Sequence, residues 1–242
     1  MTSSVLSLLH APNLAPPITD QANETEWVWD LYLAIAIAVA VAVALFVLFI
    51  VIRFRKRDNE LPSQKQYNLP MELIYTIVPF LVIAALFAVT VVTVRAIEEV
   101  DDDPDLVVDV IASQWQWQFA YPDDGVIVVG SGEDVPELVL PASSSVLFRL
   151  ESLDVVHSFW ITAFRFKRDV IPGSPSEFSV DMTDTTGFFP NAGVCAEFCG
   201  LSHAKMRFSV RVLEPAEFEV WAQEHRDGGG LVTSGTPEED NV

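Results

Sequence analysis

Two runs of this chain limit its architecture more than any other feature: residues 31–52 (LYLAIAIAVAVAVALFVLFIVI) and residues 73–94 (LIYTIVPFLVIAALFAVTVVTV) contain no charged side chain. Coiled as helices at 1.5 Å per residue, each is about 33 Å long, enough to cross a hydrocarbon core of about 30 Å. Pro79 falls early in the second run, where neighbouring groups can satisfy the carbonyl it frees. The chain is therefore expected to carry a two-helix transmembrane anchor. A signal peptide needs basic residues ahead of its apolar segment, and no Lys or Arg precedes Arg53. The first run is thus expected to be retained, with a shorter leader within residues 1–25 left open.

The segment joining the runs, RFRKRDNELPSQK, holds Arg53, Arg55, Lys56, Arg57 and Lys65, five of the chain's 14 basic residues. Basic loops stay on the cytoplasmic side, so both termini are expected outside the cell membrane, with Trp27 and Trp29 near the outer interface. The organisation then reads as an outer N-terminal segment over 1–30, spans over 31–52 and 73–94, and a cytoplasmic loop over 53–72. An outer domain follows over 96–226, with a disordered acidic tail over 227–242. From residue 96 onward 27 acidic side chains stand against 8 basic ones, so nearly all of the formal charge of −20 lies there. Such a surface suits a basic soluble partner or a halophile's salt. Scattered acids and only four lysines in the chain favour the halophile. No nucleic-acid partner is expected of so acidic a chain.

Within the outer domain the apolar period is two. SEFSVDMT sets Phe178, Val180 and Met182 on one face and Glu177, Ser179, Asp181 and Thr183 on the other. Met206, Phe208, Val210 and Val212 alternate in the same way with Arg207, Ser209 and Arg211. Similar runs at VVDVIASQWQWQFAY, VIVVG, ELVLP, SSVLFRLES and VVHSFWI, separated by turn signals, predict an all-β sandwich or barrel. EPAEFEVWAQEH reads as a short closing helix.

On that scaffold, CAEFCGLSHAKM (195–206) gathers both cysteines of the chain, one of its four histidines and one of its four methionines. Outside a membrane, a Cys-x3-Cys pair can be a disulfide. Yet Cys199, His203 and Met206 follow the order of a blue-copper ligand loop, in which a thiolate, an imidazole and a weak thioether share one turn. Such a site needs a second histidine, and His157 in LDVVHSFW is the natural candidate. Taken singly, His157 and Met206 read as core residues; as a set with paired thiolates they suit copper better than zinc. One thiolate suffices for a mononuclear centre. Cys195 adds a second that lets two sulfurs bridge two ions, and Glu197 between them would present its carbonyl. The two spans contain no histidine, so they offer no such ligand to a haem.

The pattern C-x-E-x-C-G-x-x-H-x-x-M with an upstream H-S resembles the dinuclear copper A motif of subunit II of haem-copper cytochrome c oxidases, and the resemblance runs from the first span to about residue 225. It implies an N-terminal two-helix transmembrane hairpin followed by an all-β cupredoxin-like sandwich. It also implies two copper ions bridged by Cys195 and Cys199, with His157 and Met206 completing one and His203 and the Glu197 carbonyl the other. A magnesium ion would be shared with subunit I through the Glu197 carboxylate. Trp115, first in SQWQW, matches the point of electron entry, and Asp154 an acidic position near the donor dock. Glu72, in LPMELIYTIVP, matches the mouth of a proton channel.

The role so implied is electron entry. Single electrons from a soluble cytochrome c or small blue-copper protein would pass to haems held only in subunit I, where dioxygen becomes water and protons are pumped. This chain would be an enzyme only as a subunit, with no catalytic residue of its own, lying in lipid beside subunit I and further membrane subunits. Gln116, where the family commonly has another aromatic, and HSFW in place of HSW depart from the pattern. The alternative is a membrane-anchored mononuclear blue-copper carrier for another redox enzyme, which needs only one cysteine. A metal-delivery module would instead need exposed Met or His clusters, which the sequence lacks.

Overall fold

The computed structural model describes residues 15–55, 65–131 and 134–233, in two units. Part of the expected cytoplasmic loop (56–64) and most of the expected tail (234–242) lie outside the described residues.

The first unit is a helical hairpin of α1 (Asp20–Arg53) and α2 (Leu69–Ile97), each long and apolar enough to cross a membrane. Both carry an acid in the first turn and an arginine in the last, as the helix dipole favours. Their apolar side chains are exposed around the whole circumference, which suits a surface covered by lipid and by other protein. One polar clamp joins the helices: the Tyr32 hydroxyl donates to the Leu86 carbonyl (2.7 Å) and is hydrogen-bonded to the Thr90 hydroxyl. Inside a bilayer such groups must find protein partners, and here they find each other.

The second unit is a two-sheet sandwich. Its strands are β1 (Leu106–Ser113), β2 (Gln116–Tyr121), β3 (Val126–Ser131), β4 (Glu137–Pro141), β5 (Ser145–Ser152) and β6 (His157–Ile161). Then follow β7 (Phe166–Val170), β8 (Ser176–Asp181), β9 (Gly187–Cys195), β10 (Arg207–Leu213), α3 (Pro215–Asp227) and β11 (Leu231–Thr233). One sheet runs β11-β3-β2-β1-β5-β8 and the other β4-β10-β9-β6-β7. The inward positions fill the space between them with aromatic rings. Phe159 stacks on Phe208 (5.0 Å between centroids) and Phe148 on Phe178 (5.0 Å), with Trp117 edge-on to both Phe159 and Phe208. Buried Tyr121 ties the sheets together, its hydroxyl donating to the Val139 carbonyl (3.0 Å) and accepting from the Val139 N–H (2.9 Å).

The structure differs from the sequence reading in three places. VVDVIASQWQWQFAY is two strands, paired antiparallel with Ser113 opposite Gln116, so only Gln114 and Trp115 form the turn. The glycine-rich stretch before residue 231 is not the start of a loose tail. Gly229 and Gly230 take φ of +105° and +75°, and the chain re-enters the sheet as β11, parallel to β3. Nor is the N-terminal segment separate from the β domain, for residues 15–25 belong to its unit. The Ile18 N–H donates to Ala163 O (3.3 Å), the Thr183 N–H to Ile18 O (3.0 Å), and Thr19 bridges Met182. Gln21 exchanges two hydrogen bonds with Asp181, and Arg165 donates to the Ala15 carbonyl (2.7 Å). The Thr19 hydroxyl then caps α1 by accepting from the Ala22 N–H (3.1 Å). The helix therefore begins at Asp20 rather than at residue 31, because freedom from charge marks only the part of a helix that lipid can cover.

Ile18 is fully buried, so Ile18→Ala removes a filled site from a strap held otherwise by hydrogen bonds. The expected loss is about 2–5 kcal/mol of β-domain stability, read as a fall in the unfolding midpoint of the full-length protein in detergent. An unchanged midpoint would show that the strap contributes nothing.

Candidate metal centre

The strand ladder places the candidate ligands. Phe159 of β6 pairs with Cys195 at the end of β9, so His157, two residues away on the same face, lies beside that cysteine. Arg207 of β10 pairs with Val194, and the Cys195 N–H donates to the Met206 carbonyl (3.0 Å). Between these strands, residues 196–205 leave β9 and return to β10. They carry Cys199 and, on a 3-10 turn spanning His203–Lys205, His203. Gly200 takes φ of +119°, which only glycine adopts easily, and this lets the chain turn directly after Cys199.

The donors converge. The Sγ atoms of Cys195 and Cys199 are 3.8 Å apart; His157 Nδ1 is 3.8 Å from the first, and His203 Nδ1 is 3.7 Å from the second. Met206 Sδ lies 3.8 Å from Cys199 Sγ, and the Glu197 carbonyl oxygen 3.2 Å from Cys195 Sγ. The ligand atoms of His157, Cys195 and Cys199 all fall within 4.8 Å of one another. A disulfide needs sulfurs about 2.05 Å apart, so this pair is not one. Metal–thiolate and metal–imidazole bonds are about 2.3 and 2.0 Å, so two thiolates up to about 4.6 Å apart can share an ion, as can a thiolate and an imidazole up to about 4.3 Å. Each measured cysteine–cysteine and cysteine–histidine separation is shorter than its limit, and the donor set fits a soft metal. Thiolate, thioether and imidazole together suit copper.

His157, Cys195, Cys199 and Met206 are buried, whereas His203 is half-buried. Behind His157, Nε2 lies 2.9 Å from Asp154 Oδ1, which leaves Nδ1 turned to the sulfurs. This is the carboxylate–histidine arrangement that fixes the tautomer and orientation of metal-binding imidazoles. Asp154 also accepts from the backbone N–H groups of Gln114 (2.7 Å) and Val155 (2.6 Å). Burial would raise its pKa, but these bonds outweigh burial and hold it below the usual carboxylate range. Burial likewise opposes the His157 imidazolium, while Cys195 and Asp154 together raise its pKa. The two thiols split. Burial pushes Cys195 up, yet hydrogen bonds led by His157 bring it down to about 6; burial and then the Cys195 charge push Cys199 up to about 12.

The other expected site residues fall as follows. Trp115 is half-buried, with its indole N–H donating to the Cys199 carbonyl (3.2 Å). The Glu197 side chain is exposed. Glu72, in the first turn of α2, accepts from the Asn68 N–H (3.0 Å), an ordinary helix-start contact. Two residues with a place in the site were not singled out from sequence. Gln114 donates from its side chain to the Cys199 carbonyl (2.7 Å), and buried Trp117 donates to the Met206 carbonyl (3.4 Å). Their only sequence signal is position, flanking Trp115 in SQWQW.

A sandwich that gathers thiolates, imidazoles and a thioether at the ends of its strands defines a cupredoxin-like metal domain, here on a chain with two apolar helices. The family profile described as cytochrome c oxidase subunit II, periplasmic domain, matches residues 106–213, and that for its transmembrane domain matches residues 10–93. The chain belongs to the cytochrome c oxidase subunit II family and is a two-span membrane protein. It is 32% identical to cytochrome c oxidase subunit 2 of Mycobacterium tuberculosis over 73% of this chain and 64% of that one. It is also 32% identical to the probable cytochrome c oxidase subunit 2 of Nocardia farcinica, over 87% of this chain and 73% of that one. The match thus spans about two thirds of the length of the mycobacterial relative. Among solved structures, the periplasmic domain of subunit II of cytochrome oxidase from Bradyrhizobium japonicum is similar, with 31% identity and a TM-score of 0.48 over 52% of this chain and 96% of that one.

Two outcomes test the site in the copper-free and copper-loaded protein. Without copper, the ultraviolet absorbance of one thiolate should appear as pH rises through about 6, with the second absent until far higher pH. Joint titration near pH 9 would refute the asymmetry. Asp154→Asn should weaken copper retention roughly 10–100-fold, the usual effect of losing such a partner; retention equal to the unsubstituted protein would show that Asp154 does not hold the imidazole.

Proposed function

We propose that this chain is the electron-entry subunit of a respiratory haem-copper oxidase. The observation that carries the reading is the run of donor contacts from Met206 through Cys199 and Cys195 to His157, with His203 joining at Cys199. In this reading Cys195 and Cys199 would be shared by two copper ions, with His157 and Met206 available to hold one and His203 and the Glu197 carbonyl to hold the other. Bound there, the copper pair would supply a one-electron relay whose charge change is spread over both ions. The chain's own part is to hold the donors still. His157 opens β6, Cys195 closes β9 and Met206 precedes β10, so three of them are tied to the ladder.

Electrons enter at Trp115, whose indole reaches the Cys199 carbonyl directly. They leave for haems in subunit I, the partner in which dioxygen is reduced to water and protons are pumped. Further membrane subunits and lipid cover the remaining hairpin surface. The donor is a soluble cytochrome c or blue-copper protein, drawn by an acidic surface to which Asp154 adds its charge. The exposed Glu197 carboxylate is available for a magnesium ion at the contact with subunit I, and Glu72 stands at the mouth of a proton path. The basic segment between the spans supports a cytoplasmic loop, with both termini and the β domain outside. We assign the acidity also to life in high salt; unfolding indifferent to molar salt would remove that assignment.

The test is copper per protein and the electron paramagnetic resonance spectrum of the full-length chain, purified in detergent and loaded with copper. Two coppers with hyperfine structure from one shared electron are expected, and Cys195→Ser should abolish that spectrum. One copper with an ordinary blue-copper spectrum in folded, unsubstituted protein would overturn the reading in favour of a mononuclear carrier.

A further inference from the structure

Cys195 and Cys199 are held by different means. Cys195 ends a strand, and its N–H is fixed by the Met206 carbonyl; Cys199 lies in the loop beyond, outside that ladder. Yet Cys199 Sγ lies within 3.8 Å of Cys195 Sγ, His203 Nδ1 and Met206 Sδ, so three donor separations depend on where that loop residue is held. A small rotation of its peptide would change all three separations together.

The Cys199 carbonyl is gripped from the β1–β2 turn. Gln114 Nε2 donates to it at 2.7 Å, and the Trp115 indole at 3.2 Å. The same two side chains also press close on Gly200, the next residue. A Cβ on Gly200 would lie 3.1 Å from Gln114 Nε2 and 3.2 Å from the Trp115 ring. Gln114 has a second attachment, for its backbone N–H donates to Asp154 Oδ2 (2.7 Å) while Asp154 Oδ1 faces His157 Nε2 (2.9 Å). A continuous path of hydrogen bonds therefore runs from the His157 ring through Asp154 and Gln114 to the peptide of Cys199.

We infer that Gln114 is a positioning residue of the metal centre, a splint that sets the His157 side of the site against the Cys199 side. The inference rests on the copper-pair reading above. Trp115 does not duplicate the role, because its contact is longer and its backbone lacks the link to Asp154. Gln114 touches no donor atom itself and acts through the Cys199 carbonyl and the Asp154 carboxylate.

The experiment uses the full-length chain in detergent, loaded with copper, with Gln114→Met and Gln114→Ala. The methionine keeps the length of the side chain without a donor, so it answers if the alanine variant does not fold. Both should release copper to a chelator about tenfold faster, the low end for residues that support metal ligands. Both should also show a hyperfine pattern of unequal sharing between the coppers. The unfolding midpoint of the copper-free variants should stay near that of the unsubstituted protein, since Gln114 is exposed. Unchanged spectra and release rates in the folded variants would overturn the inference while leaving the copper pair intact. Absence of a shared-electron spectrum in the unsubstituted chain would instead remove the reading beneath it. In the unsubstituted copper-free chain, the Gln114 side-chain amide protons should exchange with water more slowly than those of Gln66; equal exchange would also overturn the inference.

Discussion

The pairing of β9 with β10 is the contact on which the site depends. It brings residues eleven apart in sequence, Cys195 and Met206, to adjacent ladder positions and makes everything between them a closed loop. A loop whose ends are pinned by backbone bonds needs few further contacts to fix its tip, and here they come from the opposite sheet. Trp115 and Gln114 hold the Cys199 carbonyl, and Trp117 holds that of Met206. The aromatic packing below completes the support. The Phe159 ring, on the strand that begins with His157, lies flat on Phe208, on the strand that follows Met206. A Cβ at Gly193 would fall on that same Phe208 ring, so β9 can approach its neighbour this closely only with glycine there.

Much of the scaffold was legible because alternation and burial share one cause. Phe178, Val180 and Met182 are buried, as are Met206, Phe208, Val210 and Val212. Ser179 and Ser209 are the exceptions, polar by type yet buried, since outward positions can also be covered. The β1–β2 turn was missed for lack of Gly, Pro, Asn or Asp at its centre. The phase of the alternation held a fainter signal: Leu106, Val108, Val110 and Ala112 are buried at even positions, then Trp117, Phe119 and Tyr121 at odd ones. Two residues of reversal produce such a shift. The candidate ligands in residues 195–206 were legible because a loop closed by two strands keeps its donors near in sequence. Gln114's bond to Cys199 was not, for it depends on which loops the two sheets bring together; Asp154's bond to His157 is local, but its acid is one among many and nothing in composition marks it as turned inward.

Acidity and burial meet at Asp154. Read from sequence it is one acid among many on an outer surface; in the structure its two oxygens serve His157 and two backbone N–H groups, with 31% of the side chain exposed. A single carboxylate thus contributes charge to the exterior and orientation to the interior. The same economy holds for Trp115, whose ring lies partly in solvent while its N–H belongs to the site.

The strap formed by residues 15–25 bears on how the molecule is made. Ile18 and Thr19 are translated before either long helix, yet their partners, Ala163, Met182 and Thr183, emerge only after both helices and most of the strands. The β domain therefore closes around a piece of chain that has waited through nearly all of synthesis. Contacts so distant in sequence form late and slowly. Until they form, the faces that cover Ile18 stay open, so the maturing protein passes through a stage in which its β domain is assembled but not yet sealed.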